Sequence, residues 1–310
     1  MSKILKQIIK YCIPYGIVKY RRKRLRFKRQ SELTDDEIIL QERGERIRHY
    51  FLSLNPNKQE SEIQEIIEYF RKNDFSVFPY NFTQKYRNLK INSIYDKTCE
   101  MYYILHNGKR MYFPQNWTEL QMRGYYTGLC LEQDENSPHR YETKDFSPKK
   151  GDTIVDVGAA EGIWALTYAD IAKKIYLFEC NPSWEQALRK TFEPYKEKTI
   201  IVNKYVSDKS EGENIMLDDY FDNETVNFIK ADIEGYELKL LAGMVRILTR
   251  EKDIKLLLCT YHNKIDAEEL KVGLEKFGFY TEYSKKYMLF IYDENLELPY
   301  VRRGLVRARK

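Results

Sequence analysis

Thr153-Ile-Val-Asp-Val-Gly-Ala-Ala-Glu-Gly162 decides the fold. An apolar, β-branched strand runs into a tight turn bearing Gly158 and Gly162, and the turn opens a helix carrying Trp164, Leu166 and Tyr168. Glycine at 158 lets the backbone approach a ligand closely, and glycine at 162 lets the new helix pack against the strand. The first helical turn is expected to leave N–H groups facing a polar ligand. One helix later a second strand, Lys174-Ile-Tyr-Leu-Phe-Glu179, ends in a carboxylate about 20 residues beyond the turn, where an acid that binds a ribose diol belongs.

A dinucleotide fingerprint has three glycines and this turn has two, which argues against NAD. The pattern suits S-adenosyl-L-methionine (SAM), which has no pyrophosphate to cradle. A further buried strand, Val226-Asn-Phe-Ile-Lys-Ala-Asp-Ile-Glu-Gly-Tyr-Glu237, ends in carboxylates and a glycine before the next helix. Together Asp156-Val-Gly-Ala-Ala-Glu-Gly162, Glu179-Cys-Asn-Pro182 and Ile229-Lys-Ala-Asp-Ile-Glu-Gly-Tyr-Glu237 resemble the FkbM-type family of SAM-dependent methyltransferases. Val206-Ser-Asp208, Leu217-Asp-Asp-Tyr-Phe221 and His262 add to the resemblance, which covers residues 139 to 292. Its most specific part is the Lys-x-Asp-x-Glu-Gly-x-Glu run, and Tyr205 stands where the family has a small residue.

The resemblance implies a class I methyltransferase sheet and O-methylation of a sugar, cell-surface glycan or related natural-product hydroxyl. Cofactor contacts then fall on Asp156, Gly158, Ala159, Ala160, Glu161, Gly162, Glu179, Asn181 and Asn203. Asp156 either caps the turn or faces the methionine amine. Glu179 offers two oxygens to a vicinal diol, while Asn181 and Pro182 already make a helix cap and first turn. Catalysis is expected from Asp232, Glu234 and His262. A hydroxyl acceptor loses its proton as it attacks, which calls for a base or a metal, and His262 emerges at the right edge after Leu256-Leu-Leu-Cys-Thr-Tyr261. Asp232 and Glu234 leave a divalent metal such as Mg²⁺ open, since hard cations take oxygen ligands, and Lys230 shares strand parity with Asp232 and could neutralise it. Glu237 reads as a first-turn helix acid. His139 either covers the cofactor or lies in a surface loop. A catalytically silent nucleotide-binding or scaffold module is the alternative from another class.

The 310 residues are 43% hydrophobic and 32% charged, as in a soluble globular protein. No uncharged run approaches the ~20 residues that span a bilayer, and Lys6 and Lys10 interrupt any signal-peptide core. Five scattered cysteines without a Cys-x-x-Cys pair fit a reducing cytosol. Residues 1–30 hold eleven Lys/Arg and no acid, and residues 298–310 hold five more, which leaves 36 basic against 47 acidic residues between them. Basic ends on an acidic body point to an anionic partner for the termini. The first segment, Lys3 to Tyr20 with Arg21 to Arg29, reads as a solvated docking helix or as a foot on the anionic inner membrane face. No motif supports nucleic-acid binding.

The expected organisation is a basic arm over 1–30, a helical region with a hairpin over 31–145 and the methyltransferase domain over 146–310. Helices are expected from Asp35 to Leu52 and from Asn57 to Lys72, the second with an Ile63, Ile66, Ile67, Phe70 core stripe. Asn107-Gly108 predicts a type I′ hairpin, and Asn116 with Glu119 a helix reaching about Tyr126. From residue 151 strands alternate with helices: 153–157, 174–179, 199–203, 226–231, 254–260 and a closing hairpin of 278–283 with 286–292. Such alternation predicts a mostly parallel Rossmann-like α/β sheet whose ligand edge lies at the strands' carboxyl ends.

Overall fold

A computed structural model describes residues 34–293 and 296–310. The basic arm of residues 1–30 lies outside the described residues. The chain forms two compact units. One comprises residues up to Ile91, Leu120–Arg140 and Lys285–Arg303; the other comprises Asn92–Glu119, Tyr141–Ser284 and Gly304–Lys310. In this division 92–119 and 141–145 group with the sheet, and 285–303 group with the helices.

In the helical unit, α1 (Asp35–Ser53) begins at a capping box in which the Thr34 side chain and Glu37 bond each other's backbone N–H. Helix α2 (Ser61–Lys72) buries Ile63, Ile66, Ile67, Tyr69 and Phe70, the expected core stripe. Helix α3 spans Glu119–Glu132, starting later and running further than expected, so Asn116 is not its cap. The 286–292 run is not a strand. Met288, Leu289, Phe290 and Ile291 are all buried in succession, which a two-sided strand with one solvated face does not do. Met288 and Arg302 instead form an isolated bridge, and the Leu289 N–H donates to the Val77 carbonyl at 2.9 Å.

The sheet unit opens with a three-stranded meander, β1 (Ile94–Asp96), β2 (Met101–His106) and β3 (Lys109–Tyr112). Asn107 (φ 50) and Gly108 (φ 80) both take the left-handed conformation that a type I′ turn demands. The main sheet uses β4 (Thr153–Val157), β5 (Lys174–Phe178), β6 (Thr199–Val202), β9 (Phe228–Ala231), β10 (Lys255–Cys259), β11 (Tyr280–Tyr283) and β12 (Leu305–Arg309). Strands β7 (Tyr205–Val206) and β8 (Asn214–Ile215) form a separate pair. Spatial order is β11-β12-β10-β9-β4-β5-β6, parallel except for β12, which runs antiparallel to both β10 and β11. The closing hairpin is thereby corrected. The partner of β11 is 305–309, reached only after the 285–303 excursion.

Residues of alternate parity serve opposite faces. Val155, Val157, Ile229, Ala231, Leu256, Leu258, Val306 and Ala308 share one core with Leu217, Leu240, Leu248 and Leu270. These last come from α6 (Leu217–Phe221), α7 (Glu237–Ala242), α8 (Val245–Arg250) and α9 (Asp266–Lys276). On the other face Phe228 packs against Phe146 and against Trp164 of α4 (Ile163–Tyr168). Helix α5 (Pro182–Thr191) follows β5.

Not all basic residues of 298–310 are free for an anionic partner, as the sequence had implied. Arg302 pairs with Asp293, Arg303 with Glu62 at 3.0 Å, and the Arg307 Nε donates to the Tyr141 carbonyl at 3.1 Å. Arg302 and Arg307 are buried, their charge satisfied from within.

Candidate active site

Strand β4 lies between β5, the next strand in the chain, and β9. The order thus reverses at β4, the switch point at which such sheets open a crevice. Every residue singled out at a strand end comes to the same edge: Gly158 after β4, Glu179 after β5, Asn203 after β6, Asp232 after β9 and His262 after β10.

The two turns at the switch point interlock. Gly158 has φ +72°, and a Cβ there would lie 2.0 Å from the Asp232 carbonyl oxygen. Its requirement for glycine is therefore a close approach to the chain's own backbone rather than to a ligand. Gly162 (φ +74°) is pressed by Phe192 and Leu188, so its need for glycine lies against α5 and the residue after it. The turn's N–H groups are also mostly engaged. Gly158 and Ala159 donate to the Phe178 carbonyl, Gly162 to Ala159, and Ala160 to a Glu179 carboxylate oxygen at 2.7 Å.

Asp156 does not face the crevice. It is almost wholly buried, and its carboxylate lies 2.9 Å from the Lys230 ammonium, which also donates to the Gly158 carbonyl at 3.0 Å. Asp156 and Lys230 are direct cross-strand partners in the β4–β9 register, so Lys230 neutralises Asp156 and not, as its parity had suggested, Asp232 alone. Burial works against the Lys230 charge, but Asp156 and Asp232 outweigh it and push its pKa well up. The pair is a clamp on the glycine turn.

Glu179 is buried, which raises its pKa; its two oxygens accept from Ala160 and Asn181 N–H, each at 2.7 Å, which opposes that rise. A carboxylate has about four lone-pair sites, so two remain for a diol. Asn181 caps α5 through Ser183 N–H, and the Asn203 amide, with nitrogen inward, donates to the Glu179 and Cys180 carbonyls at 3.2 Å. Both hold the Glu179 corner in shape. Glu161, the next residue after Ala160, is also buried.

At the other side Asp232 accepts from Tyr141 and Tyr261 hydroxyls, each at 3.0 Å. His262 is buried, its Nε2 3.6 Å from both Asp232 and Glu234 and its Nδ1 3.2 Å from Glu237. Burial alone would lower its pKa. Glu237, Glu234 and Asp232 overcome this and raise it to about 9. The raised pKa favours the protonated imidazole over the free base. Asp232, Glu237 and His262 bring donor atoms within 4.8 Å of one another. Glu237, expected as an ordinary first-turn acid, is fully buried and proves part of the cluster; its position in the Lys-x-Asp-x-Glu-Gly-x-Glu run was the available signal. His139 belongs to the other unit, where it is buried near Phe78 and is no surface loop residue.

Strand order and switch-point turns define a Rossmann-like, mostly parallel α/β sheet with its last strand inserted antiparallel. Residues 206–288 match the family described as the methyltransferase FkbM domain. No curated protein matches the sequence. Among solved structures, the methyltransferase FkbM from Methylobacillus flagellatus is similar at 16% identity and a TM-score of 0.43, covering 62% of this chain and 54% of that one. The match thus takes in about half the length of that relative. An rRNA methylase from Streptococcus thermophilus is similar at 22% identity and a TM-score of 0.36, over 52% of this chain and 88% of that one. Aeropyrum pernix fibrillarin, solved with natively bound SAM, is similar at 18% identity and a TM-score of 0.34, over 52% of this chain and 67% of that one. Among the described residues no helix is long and apolar enough to cross a membrane.

Proposed function

We propose that the protein transfers a methyl group from SAM to a hydroxyl of a sugar, cell-surface glycan or related natural-product acceptor. The observation that supports this reading is the close approach of the turns after β4 and β9, Gly158 against the Asp232 carbonyl, with the Ala160 N–H of the same turn on Glu179. When bound, SAM supplies an electrophilic methyl on a cationic sulfonium. Glu179 holds the ribose diol with its two remaining lone-pair sites. Glu161 and the Gly158–Gly162 turn shape the adjoining wall, and the acidic edge favours a cation electrostatically.

Asp232 orients the acceptor hydroxyl and takes its proton as the oxygen attacks. Two tyrosine hydroxyls and the His262 charge fix that carboxylate in one position. Glu234, with its side chain about half exposed at 53%, binds a neighbouring hydroxyl at the rim. Charged His262 balances both acids.

Titration calorimetry tests the reading. Wild-type protein should bind SAM and not NAD, and Glu179→Ala should weaken SAM by about 1.5–3 kcal/mol, as expected for loss of charge-assisted hydrogen bonds. NAD binding in place of SAM would make the fold an oxidoreductase. SAM binding without transfer of labelled methyl to any sugar or polyketide hydroxyl would leave a silent nucleotide-binding module.

A further inference from the structure

Glu237 is fully buried at the first position of α7. One of its oxygens accepts the Ile233 N–H at 3.0 Å and lies 3.2 Å from the His262 Nδ1. The other oxygen has no partner among the described residues. Hydrogen bonding alone therefore does not account for a carboxylate at this place, since an amide would serve Ile233 equally well and burying a charge is costly. The charge answers to His262.

The same segment grips the acid turn a second time. The Asn263 amide lies 3.4 Å from the Gly235 carbonyl, and Asp266, at the start of α9, receives the Asn263 backbone and side-chain N–H at 3.1 and 2.9 Å. A Cβ on Gly235 (φ +92°) would come within 2.7 Å of that amide, so the turn and the segment fit without slack. Charged or titratable groups facing His262 are Asp232 and Glu234 on the turn, Glu237 on α7, Asp266 on α9 and the adjacent Tyr261, whose ring lies 4.0 Å from the imidazole. The Cys259 thiol nearby stays neutral, because burial pushes it well up.

We propose that Glu237 is a positioning residue: by holding His262 on one nitrogen and the Ile233 backbone at the same oxygen, it fixes the Asp232–Glu234 turn in the geometry that methyl transfer uses. The inference rests on the methyltransferase reading above. It assigns Glu237 no contact with substrate. Its effect reaches the reaction through the imidazolium, whose Nε2 then faces Asp232 and Glu234 at equal distance.

Glu237→Gln keeps the acceptor for Ile233 and removes the charge. Full-length protein carrying it should bind SAM within about twofold of the parent while kcat falls about tenfold or more, with the acceptor KM little changed. By NMR, the His262 ring should titrate near pH 9 in the parent and at least one unit lower in the variant. Glu237→Asp, which restores charge at shorter reach, should recover part of both. An unchanged His262 midpoint with unchanged kcat would overturn the proposal, even if the variant melts earlier, because loss of stability alone marks a packing residue. A parent that transfers no methyl group, with a midpoint that still drops in the variant, would sink the enzyme reading and leave the Glu237–His262 tie standing.

Discussion

Asp156 and Lys230 face each other across β4 and β9, one acid to one base, with side chains 1% and 4% exposed. Just beyond the ends of β9 and β10, His262 faces Glu237, Asp232 and Glu234, one base to three acids, with Glu234 open to solvent. The first cluster is neutral and closed, and its ammonium spends its remaining reach on the Gly158 carbonyl. The second has more negative charge than its one cation balances and opens at the rim. A closed, matched pair shapes the backbone. An unmatched cluster beside a crevice is free to do chemistry on what enters. Ionisable residues a few positions apart in one motif, Lys230 and Asp232, thus serve different ends.

The largest expected effect comes from breaking the closed pair. Lys230→Met leaves Asp156 buried without a partner and should cost about 3–5 kcal/mol in denaturant unfolding, whereas Asp156→Leu combined with Lys230→Met should recover most of that loss. A single variant as stable as the parent would mean that the pair does not clamp the turn. Next comes the open cluster's dependence on pH. The His262 pKa rises from 6.5 to about 9 on folding, so the folded state holds the extra proton. Its contribution is full below pH 6.5, declines as pH rises, and is gone above about 9, a fall of about 3 kcal/mol over that window. Urea midpoints across pH 6 to 10 check this, and a flat profile would contradict the charged imidazole. The smallest effect should separate the two clusters by kind. Asp232→Asn should cut turnover about 10²-fold, or about 2.7 kcal/mol in the barrier, and change unfolding stability by less than about 1 kcal/mol. A stability loss as large as that of Lys230→Met would place Asp232 in the structural class instead.

Much of this was legible because it is local. The glycine turn, the parallel strands and the carboxylates at their ends are written in consecutive residues, and alternation fixed which edge they share. What escaped depends on partners far away in the chain. The Asp156–Lys230 match is a matter of β4–β9 register, which no spacing reveals. Leu305-Val-Arg-Ala-Arg309 lies in the basic end that pointed to an anionic partner, yet it forms a strand, and the Tyr141 carbonyl receives the Arg307 Nε there. The Met288–Ile291 run looked like a strand because its apolar length is right, while its burial on all sides belongs to the helical unit. His262 was found from its place after β10; its protonation depends on Glu237, whose burial the sequence could not show.

Strand β12 lies between β10 and β11 although it follows both in the chain. During synthesis, therefore, β10 keeps one unpaired edge until residues 305–309 have left the ribosome, and the helical unit's last segment must be made before them. An exposed strand edge is a template for wrong pairing. The order of the chain thus leaves that edge open to wrong pairing until β12 inserts.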